Sequence, residues 1–220
     1  MEFFKEVAQH FHEGGWGMYP ILLCFIFTIA ILVDRVTALF GRYNIDKEAF
    51  LAGLKKHVFA GDLEQAISYT ASQKPTPLTA IVKAGLMQVE KGDAEVQAAM
   101  DEASLREMPR IEARTGYLSM LGNVATLCGL LGTVSGLIMC FTAVASVAAE
   151  QKSQVLSQGI AEAMNCTAFG LGTGIIALVF FSVLQGKTQH MMDDINETSV
   201  GVLNLIVANR DKISSKAKAA

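Results

Sequence analysis

The sequence predicts an all-α integral membrane protein with three transmembrane helices and long cytoplasmic helical extensions. Hydrophobic residues make up 51% of the 220-residue chain and charged residues only 18%. The missing charge is concentrated in three runs that contain no charged residue, at 16–33, 115–149 and 163–186. Each run reaches the roughly 17–25 residues that a helix needs to cross a bilayer. A buried core helix could explain one such run, but three in one short chain indicate a membrane protein.

The first run predicts a transmembrane helix over residues 16–36, preceded by an amphipathic extracytoplasmic segment over residues 1–15. A cleavable signal peptide is the alternative interpretation of this run. It fits poorly because residues 1–15 contain one lysine against three acidic residues. In addition, Asp34 and Arg35 stand where a small-residue cleavage site would be expected. We therefore expect the first span to be retained.

Positive charges beside the spans predict the orientation of the chain, because they are enriched on the cytoplasmic side. These flanking cations are Arg35 and Arg42 after the first span, Arg106, Arg110 and Arg114 before the second, and Lys187 after the third. The opposite side has only Lys5 and Lys152. We therefore expect the N-terminus and a short turn at 149–157 in the periplasm, and the C-terminus in the cytoplasm.

Residues 37–114 are predicted to form a cytoplasmic helical domain. Asp62 is a candidate helix N-cap, with Gln65 at the position of a capping box. The stretch KPTPL at 74–78 interrupts the helices. From Asp93 the helical pattern continues with little interruption into the second span.

The remaining elements follow from the other two charge-free runs. The second run, at 35 residues, is longer than one bilayer crossing. It predicts a transmembrane helix with a cytoplasmic extension over residues 115–148. The third span is predicted over residues 158–186. Apolar residues at helical spacing then predict a cytoplasmic helix over 187–210, and residues 211–220 are predicted to be a disordered basic tail.

Small residues recur at steps of three or four along the second and third spans. Such stripes allow membrane helices to approach closely, so we expect these positions to pack helix against helix. The glycines with this expected role are Gly129, Gly132 and Gly136 in the second span and Gly170 and Gly174 in the third. The stripes by themselves say nothing about transport.

Three polar side chains in the spans are candidates for a functional site. If the second and third spans form an antiparallel hairpin, Thr133 and Thr167 come to a similar depth, and Glu162 lies about 7.5 Å nearer the outer surface. A membrane threonine is usually satisfied by the carbonyl four residues earlier. A glutamate is harder to explain, because ionisable groups in a span are rare without a partner or water. A structural carboxyl that forms hydrogen bonds between subunits is the alternative for Glu162.

The stretches GLLGTVSGLI at 129–138 and GIAEAMNCTAFGL at 159–171 contain these residues. Both resemble the signature segments of the MotA/TolQ/ExbB family of proton-channel stator proteins. The Asp34–Arg35 pair after the first span is similar to an acidic–arginine pair of that family. Three spans rather than four place the resemblance on the ExbB/TolQ branch. The sequence departs from the family pattern at MNC, 164–166, where Asn165 adds a polar group.

The resemblance implies a ring, expected to be a pentamer, around two copies of a single-span partner similar to ExbD or TolR. The partner's transmembrane aspartate would carry the proton, with Thr133 and Thr167 beside it and Glu162 on the outward side. A TonB- or TolA-like protein would be a further partner. The complex would lie in the bacterial inner membrane and power import across the outer membrane. Envelope maintenance and gliding motility are the alternatives that the sequence leaves open.

The residue inventory of the spans agrees with an external proton carrier. The deep spans contain no second carboxylate and no histidine, lysine or arginine. Threonine hydroxyls donate and accept hydrogen bonds, but at ordinary pH they do not carry the proton. The titrating group is therefore expected on another polypeptide.

Other functional classes fit less well. Hydrolysis within the membrane would need a nucleophile with a base, and the spans contain no histidine. His10 and His12 lack a third ligand, and the four cysteines have no metal spacing. We expect no enzymatic activity, no metal, no cofactor and no nucleic-acid partner. A structural membrane scaffold would account for the small-residue stripes but not for Glu162.

Overall fold

The computed structural model describes residues 14–217, with side chains up to Arg210. These residues form seven α-helices and one short π-helix, and none of them is in a strand. The helices are α1 (Met18–Val36), the π-helix (Thr37–Arg42), α2 (Lys47–Phe59), α3 (Leu63–Ser72), α4 (Pro77–Leu86), α5 (Asp93–Glu112), α6 (Thr115–Ser146) and α7 (Lys152–Ala217). The predicted all-α class is confirmed.

Three helical stretches are long and apolar enough to cross a membrane. They lie within Met18–Phe59, Asp93–Ser146 and Lys152–Arg210. The chain divides into two compact units. The first, which we call the apolar unit, comprises Met1–Arg35 and Arg114–Leu184; the second, the hydrophilic unit, comprises Val36–Ala113 and Gln185–Ala220.

In the apolar unit, α1 packs against α6 and α7 through a small side-chain core. Its members are Met18, Ile21 and Cys24 of α1, Ala125 of α6 and Cys166 of α7. Phe25 and Phe169 add a tilted ring contact between α1 and α7, with ring centroids 6.3 Å apart. The first span is thereby fixed beside the α6–α7 pair that contains the candidate site.

In the hydrophilic unit α2, α3 and α4 are short helices with side-chain N-caps, and apolar side chains form the core. Its buried side chains include Phe50, Leu54, Val58, Ile81, Leu86, Val96 and Met100. Asp62 caps α3 by accepting a hydrogen bond from the Gln65 amide at 3.1 Å, which confirms that predicted cap. The Lys47 ammonium binds Asp194 at 2.8 Å and Glu197 at 3.0 Å. These hydrogen bonds raise the pKa of Lys47.

The sequence pattern predicts that the helix continues from α5 into α6 with little interruption. In the structure the chain breaks between the two helices. Arg114 stands between the two helices with a φ of 64° in the left-handed region, where a non-glycine residue is strained. Its guanidinium donates to the Asp34 carboxylate at 3.1 Å. The sequence has helical periodicity on both sides of Arg114, so its periodic pattern does not indicate a helix break at this single residue.

Two predicted boundaries need correction. The turn between the second and third spans occupies residues 147–151, because α7 begins at Lys152 rather than at 158. At the other end α7 extends to Ala217, over most of the predicted disordered tail at 211–220. Lysine and alanine are good helix formers, and a long helix propagates at little cost, which explains the extension.

Some predictions lie outside the described residues. Of the predicted amphipathic segment, only Gly14 and Gly15 are described, and His10 and His12 are not among the described residues. The same is true of residues 218–220. Those predictions stay predictions.

Candidate functional site

The candidate site lies where α6 and α7 are in backbone contact. A side-chain carbon on Gly170 would lie 2.8 Å from the Ala125 carbonyl oxygen, and one on Gly129 would lie 3.1 Å from the Cα of Gly170. Since real Cβ atoms essentially never approach another atom to less than 3.0 Å, Gly170 tolerates no side chain without movement of the backbone.

The other predicted packing glycines face the same contact. Gly132 lies against the Cys166 side chain, and Gly136 against Ala163, where an added carbon would be 3.3 Å from the Ala163 Cβ. Gly174 lies against Thr126 and the Gly122 carbonyl. All five glycines named from the sequence therefore lie between α6 and α7, which is the placement that close helix packing requires.

Thr133 and Thr167 are brought together at this contact. Their hydroxyl groups form a hydrogen bond to each other. The Thr133 hydroxyl also lies 3.1 Å from the Gly129 carbonyl on its own helix and 3.1 Å from the Ala163 carbonyl of α7. The Thr167 hydroxyl lies 3.3 Å from the Gly129 carbonyl of α6. Each threonine thus has an acceptor on the opposite helix, in addition to the other threonine.

The hydroxyl pair has more acceptors than hydrogens. Each hydroxyl has one hydrogen to donate and two lone pairs that accept. Because one hydrogen bonds the other threonine and the second can bond a backbone carbonyl, the hydroxyl oxygens keep lone pairs for an outside donor. Rotation of a hydroxyl hydrogen away from its carbonyl would let the pair donate instead. Thr133 and Thr167 are both partly exposed, so such a group has access to them.

Glu162 is not part of this pair. It precedes Thr167 by five residues, which places it about 140° around the helix from Thr167. Its carboxyl packs against the backbone of Gly15, just before α1. The sequence predicted that the three residues line one path; the structure brings the two threonines together and turns Glu162 toward the turn that precedes α1.

Glu162 lines a cavity of about 220 Å³ at the end of α6 and α7 nearest their turn. Gln158 and Gly159 of α7 and Gly136 and Cys140 of α6 share this lining. Gly136 is three residues from Thr133, or about one helical turn. The cavity therefore reaches from the carboxyl toward the hydroxyl pair without joining them directly.

Asn165, the residue that departs from the family pattern, lies on the same face of α7 as Glu162. The positions 158, 162 and 165 are spaced four and three residues apart, which places Gln158, Glu162 and Asn165 on one side of the helix. Asn165 is partly exposed. It extends this polar strip rather than the threonine pair.

Sequence reasoning missed the turn that precedes α1. Gly15 contacts Glu162, while Gly17 lies against Cys166 and Gly132. The available signal was the stretch GGWG at 14–17, where three glycines in four residues indicate a backbone that must approach something closely.

Comparison with known proteins adds the family. A family model described as the MotA/TolQ/ExbB proton channel family matches residues 73–197. Biopolymer transport protein exbB1 of Vibrio cholerae is 25% identical over 207 residues, covering 89% of this chain and 88% of its own length. The Tol-Pal system protein TolQ of Haemophilus influenzae is 34% identical over 96 residues, or 44% of this chain and 42% of its own. The solved structure of C. jejuni MotAB superposes with a TM-score of 0.60, covering 88% of this chain and 74% of that chain; at 15% identity this likeness shows the fold alone.

Proposed function

We propose, from the premise that the chain belongs to the MotA/TolQ/ExbB proton channel family, that it is the channel-forming subunit of a stator driven by the proton-motive force. The matched region contains α6 and the membrane part of α7, including Thr133, Glu162 and Thr167. The family is one of proton channels rather than of enzymes. The relatives named ExbB and TolQ support the ExbB/TolQ branch.

The observation that carries the proposal is the Thr133–Thr167 hydroxyl pair. It lies between two apolar helices and is partly exposed. A protonated carboxyl beside the pair could donate to a free hydroxyl lone pair, and the same carboxylate, once deprotonated, could accept from a rotated hydroxyl. The pair can therefore hold a carboxyl group in both protonation states at one place in the membrane.

The carboxyl that does this work is proposed to belong to a partner. The deep spans of this chain contain no carboxylate besides Glu162, and Glu162 faces away from the pair. A single-span protein similar to ExbD or TolR, bound as a dimer inside a pentamer of this chain, would supply a transmembrane aspartate. Each proton that crosses 100 mV releases about 2.3 kcal/mol, and several in succession could drive rotation of the inner pair.

The complex is proposed to lie in a bacterial inner membrane, with the N-terminus and the α6–α7 turn on the periplasmic side. Arginine on the opposite side of the first and second spans supports this orientation. Import across the outer membrane through a TonB-like protein is the machine we favour, because a relative named exbB1 matches along most of its length. A TolQ-like role in envelope integrity and a role in gliding are the alternatives.

Proton flux into liposomes tests the proposal. The complex, purified with the single-span protein that accompanies it, would be compared with Thr133→Ala and Thr167→Ala. We expect each substitution to lower flux at least about tenfold while the complex still assembles. Thr133→Ser, which keeps the hydroxyl, should retain flux.

Thr126→Ala is the matched control. Thr126 is also partly buried on α6 and lies against Gly174 of α7, but its hydroxyl bonds, among the described residues, only to the Gly122 carbonyl of its own helix. The complex that carries Thr126→Ala should conduct protons at the rate of the unmodified complex. Full flux in both Thr133→Ala and Thr167→Ala would reduce the pair to a structural contact and leave a membrane scaffold as the better description. Vigorous flux through this chain without its companion would equally refute the external carrier.

A further inference from the structure

Residues 14–17, which we call the glycine turn, lead the chain into α1. The Met18 amide donates to the Gly15 carbonyl at 3.3 Å, and the Tyr19 amide donates to the Trp16 carbonyl at the same distance. Gly15 has a φ of +66°, in the left-handed region that L side chains rarely adopt. The turn therefore has a defined backbone that favours glycine at this position.

Atoms of α6 and α7 occupy the space that side chains would take at two glycines of the glycine turn. At Gly15 the place of a side chain is occupied by the carboxyl of Glu162: its Cδ would be 2.9 Å and its Cγ 3.4 Å from an added carbon, and Oε1 would be nearer still. At Gly17 an added carbon would lie 2.7 Å from the Cys166 sulfur and 3.1 Å from the Cα of Gly132. Two independent contacts thus hold the turn against both helices.

We propose that Gly15 is a positioning residue for Glu162, and that the glycine turn fixes the carboxyl at the edge of the cavity that it lines with Gln158. The relevance of this position to proton entry rests on the proposed function above. The glutamate side chain has three rotatable bonds, and its ordering costs conformational entropy. A rigid backbone surface against the carboxyl limits where that group can go, and only glycine leaves room for it.

The contact differs from ordinary packing at the neighbouring glycine. A carbon added at Gly14 would meet the Met18 side chain, whose nearest atoms are 2.5–2.9 Å away. Met18 is a flexible but buried member of the core, so crowding at Gly14 affects an apolar side chain and no ionisable group. At Gly15 the group that must move is the carboxyl end of Glu162 itself. A substitution there therefore changes the position of an ionisable group and not merely the shape of an apolar contact.

The test is a double-mutant cycle between Gly15→Ala and Glu162→Asp. Aspartate keeps the carboxyl but is one methylene shorter, so it withdraws from the added methyl group. The melting temperature of the purified chain and the proton flux of the complex are both measured. We expect Gly15→Ala to lower flux about tenfold with Glu162 present, but by less than about threefold in the Glu162→Asp background. The drop in melting temperature caused by Gly15→Ala should shrink to about half in that background.

Two matched variants separate positioning from strain. Gly14→Ala changes the adjacent glycine and should keep flux within about twofold of the unmodified complex. Gly61→Ala introduces an alanine at a φ of 70° in the turn between α2 and α3, so it reports the cost of an alanine in left-handed backbone at a second turn. If Gly15→Ala does not assemble, recovery of assembly on adding Glu162→Asp supports the inference, and no recovery overturns it.

The outcomes distinguish this inference from the proposed function. If Gly15→Ala costs as much with Glu162→Asp as without it, in flux and in melting temperature, Gly15 serves only the backbone and the inference is wrong. If the threonine variants conduct normally but the melting-temperature cycle still shows the coupling, Gly15 positions Glu162 in a protein whose proposed function has failed.

Discussion

In the hydrophilic unit large apolar side chains fill the space between helices, whereas between α6 and α7 of the apolar unit glycines let the backbones touch. Phe50, Leu54 and Ile81 are buried in the first case; Gly129 and Gly170 meet in the second. Water drives apolar side chains together in the hydrophilic unit. Lipid gives no such drive between membrane helices, so the apolar unit relies on close contact and hydrogen bonds between helices. The proposed function depends on the second arrangement, because close contact is what brings two hydroxyls together.

The largest expected effect is the loss of a buried side chain in the hydrophilic unit. Leu54 is 0% exposed on α2, and Leu54→Ala should destabilise this unit by about 2–5 kcal/mol. Hydrogen exchange of the α2 and α3 amides would report the loss as faster local opening. Leu105→Ala is the control, because Leu105 is 75% exposed on α5 and its truncation should leave exchange unchanged. Equal exchange in the two variants would contradict the side-chain description of this unit.

The next largest effect comes from adding a methyl group rather than removing a side chain, because the α6–α7 contact has no room for one. Gly170→Ala places a methyl group 2.8 Å from the Ala125 carbonyl oxygen and should destabilise the α6–α7 contact by about 1–3 kcal/mol. Gly172→Ala, two residues along the same helix, has nothing within 4 Å of the added carbon. It should be neutral or slightly stabilising, because alanine is the better helix former. Thermal unfolding in lipid nanodiscs compares the two; similar melting temperatures would mean that the contact between backbones is not tight.

Two local signals in the sequence predicted the helices and the glycine positions of the apolar unit. The charge-free runs predicted three apolar helices, and small residues at helical spacing predicted that Gly129 and Gly170 face a neighbouring helix. The two signature segments foretold the family, which the match over residues 73–197 confirms.

Two features of the structure were not predicted from the sequence: the contact of Glu162 with Gly15 and the break at Arg114. Helix geometry places Glu162 about 140° around α7 from Thr167, but its contact with Gly15 joins residues far apart in the chain. The break at Arg114 rests on one φ angle, which no periodic pattern encodes. Both features needed the three-dimensional arrangement.

The smallest expected effect is the change in stability when a threonine hydroxyl is removed, at a position where it has no hydrogen-bond partner and at one where it has partners. Thr28 of α1 is 0% exposed, and its hydroxyl has no hydrogen-bond partner among the described residues. Valine has nearly the same shape without the hydroxyl, so Thr28→Val should raise the stability of the apolar unit by about 1 kcal/mol. Thr133→Val should lower it, because the hydrogen bonds from the Thr133 hydroxyl to the Ala163 carbonyl and the Thr167 hydroxyl of α7 are lost. Opposite shifts of the melting temperature in these two variants would show that hydrogen bonds between α6 and α7 stabilise the apolar unit; a loss of stability in Thr28→Val would instead mean that its hydroxyl binds an internal water.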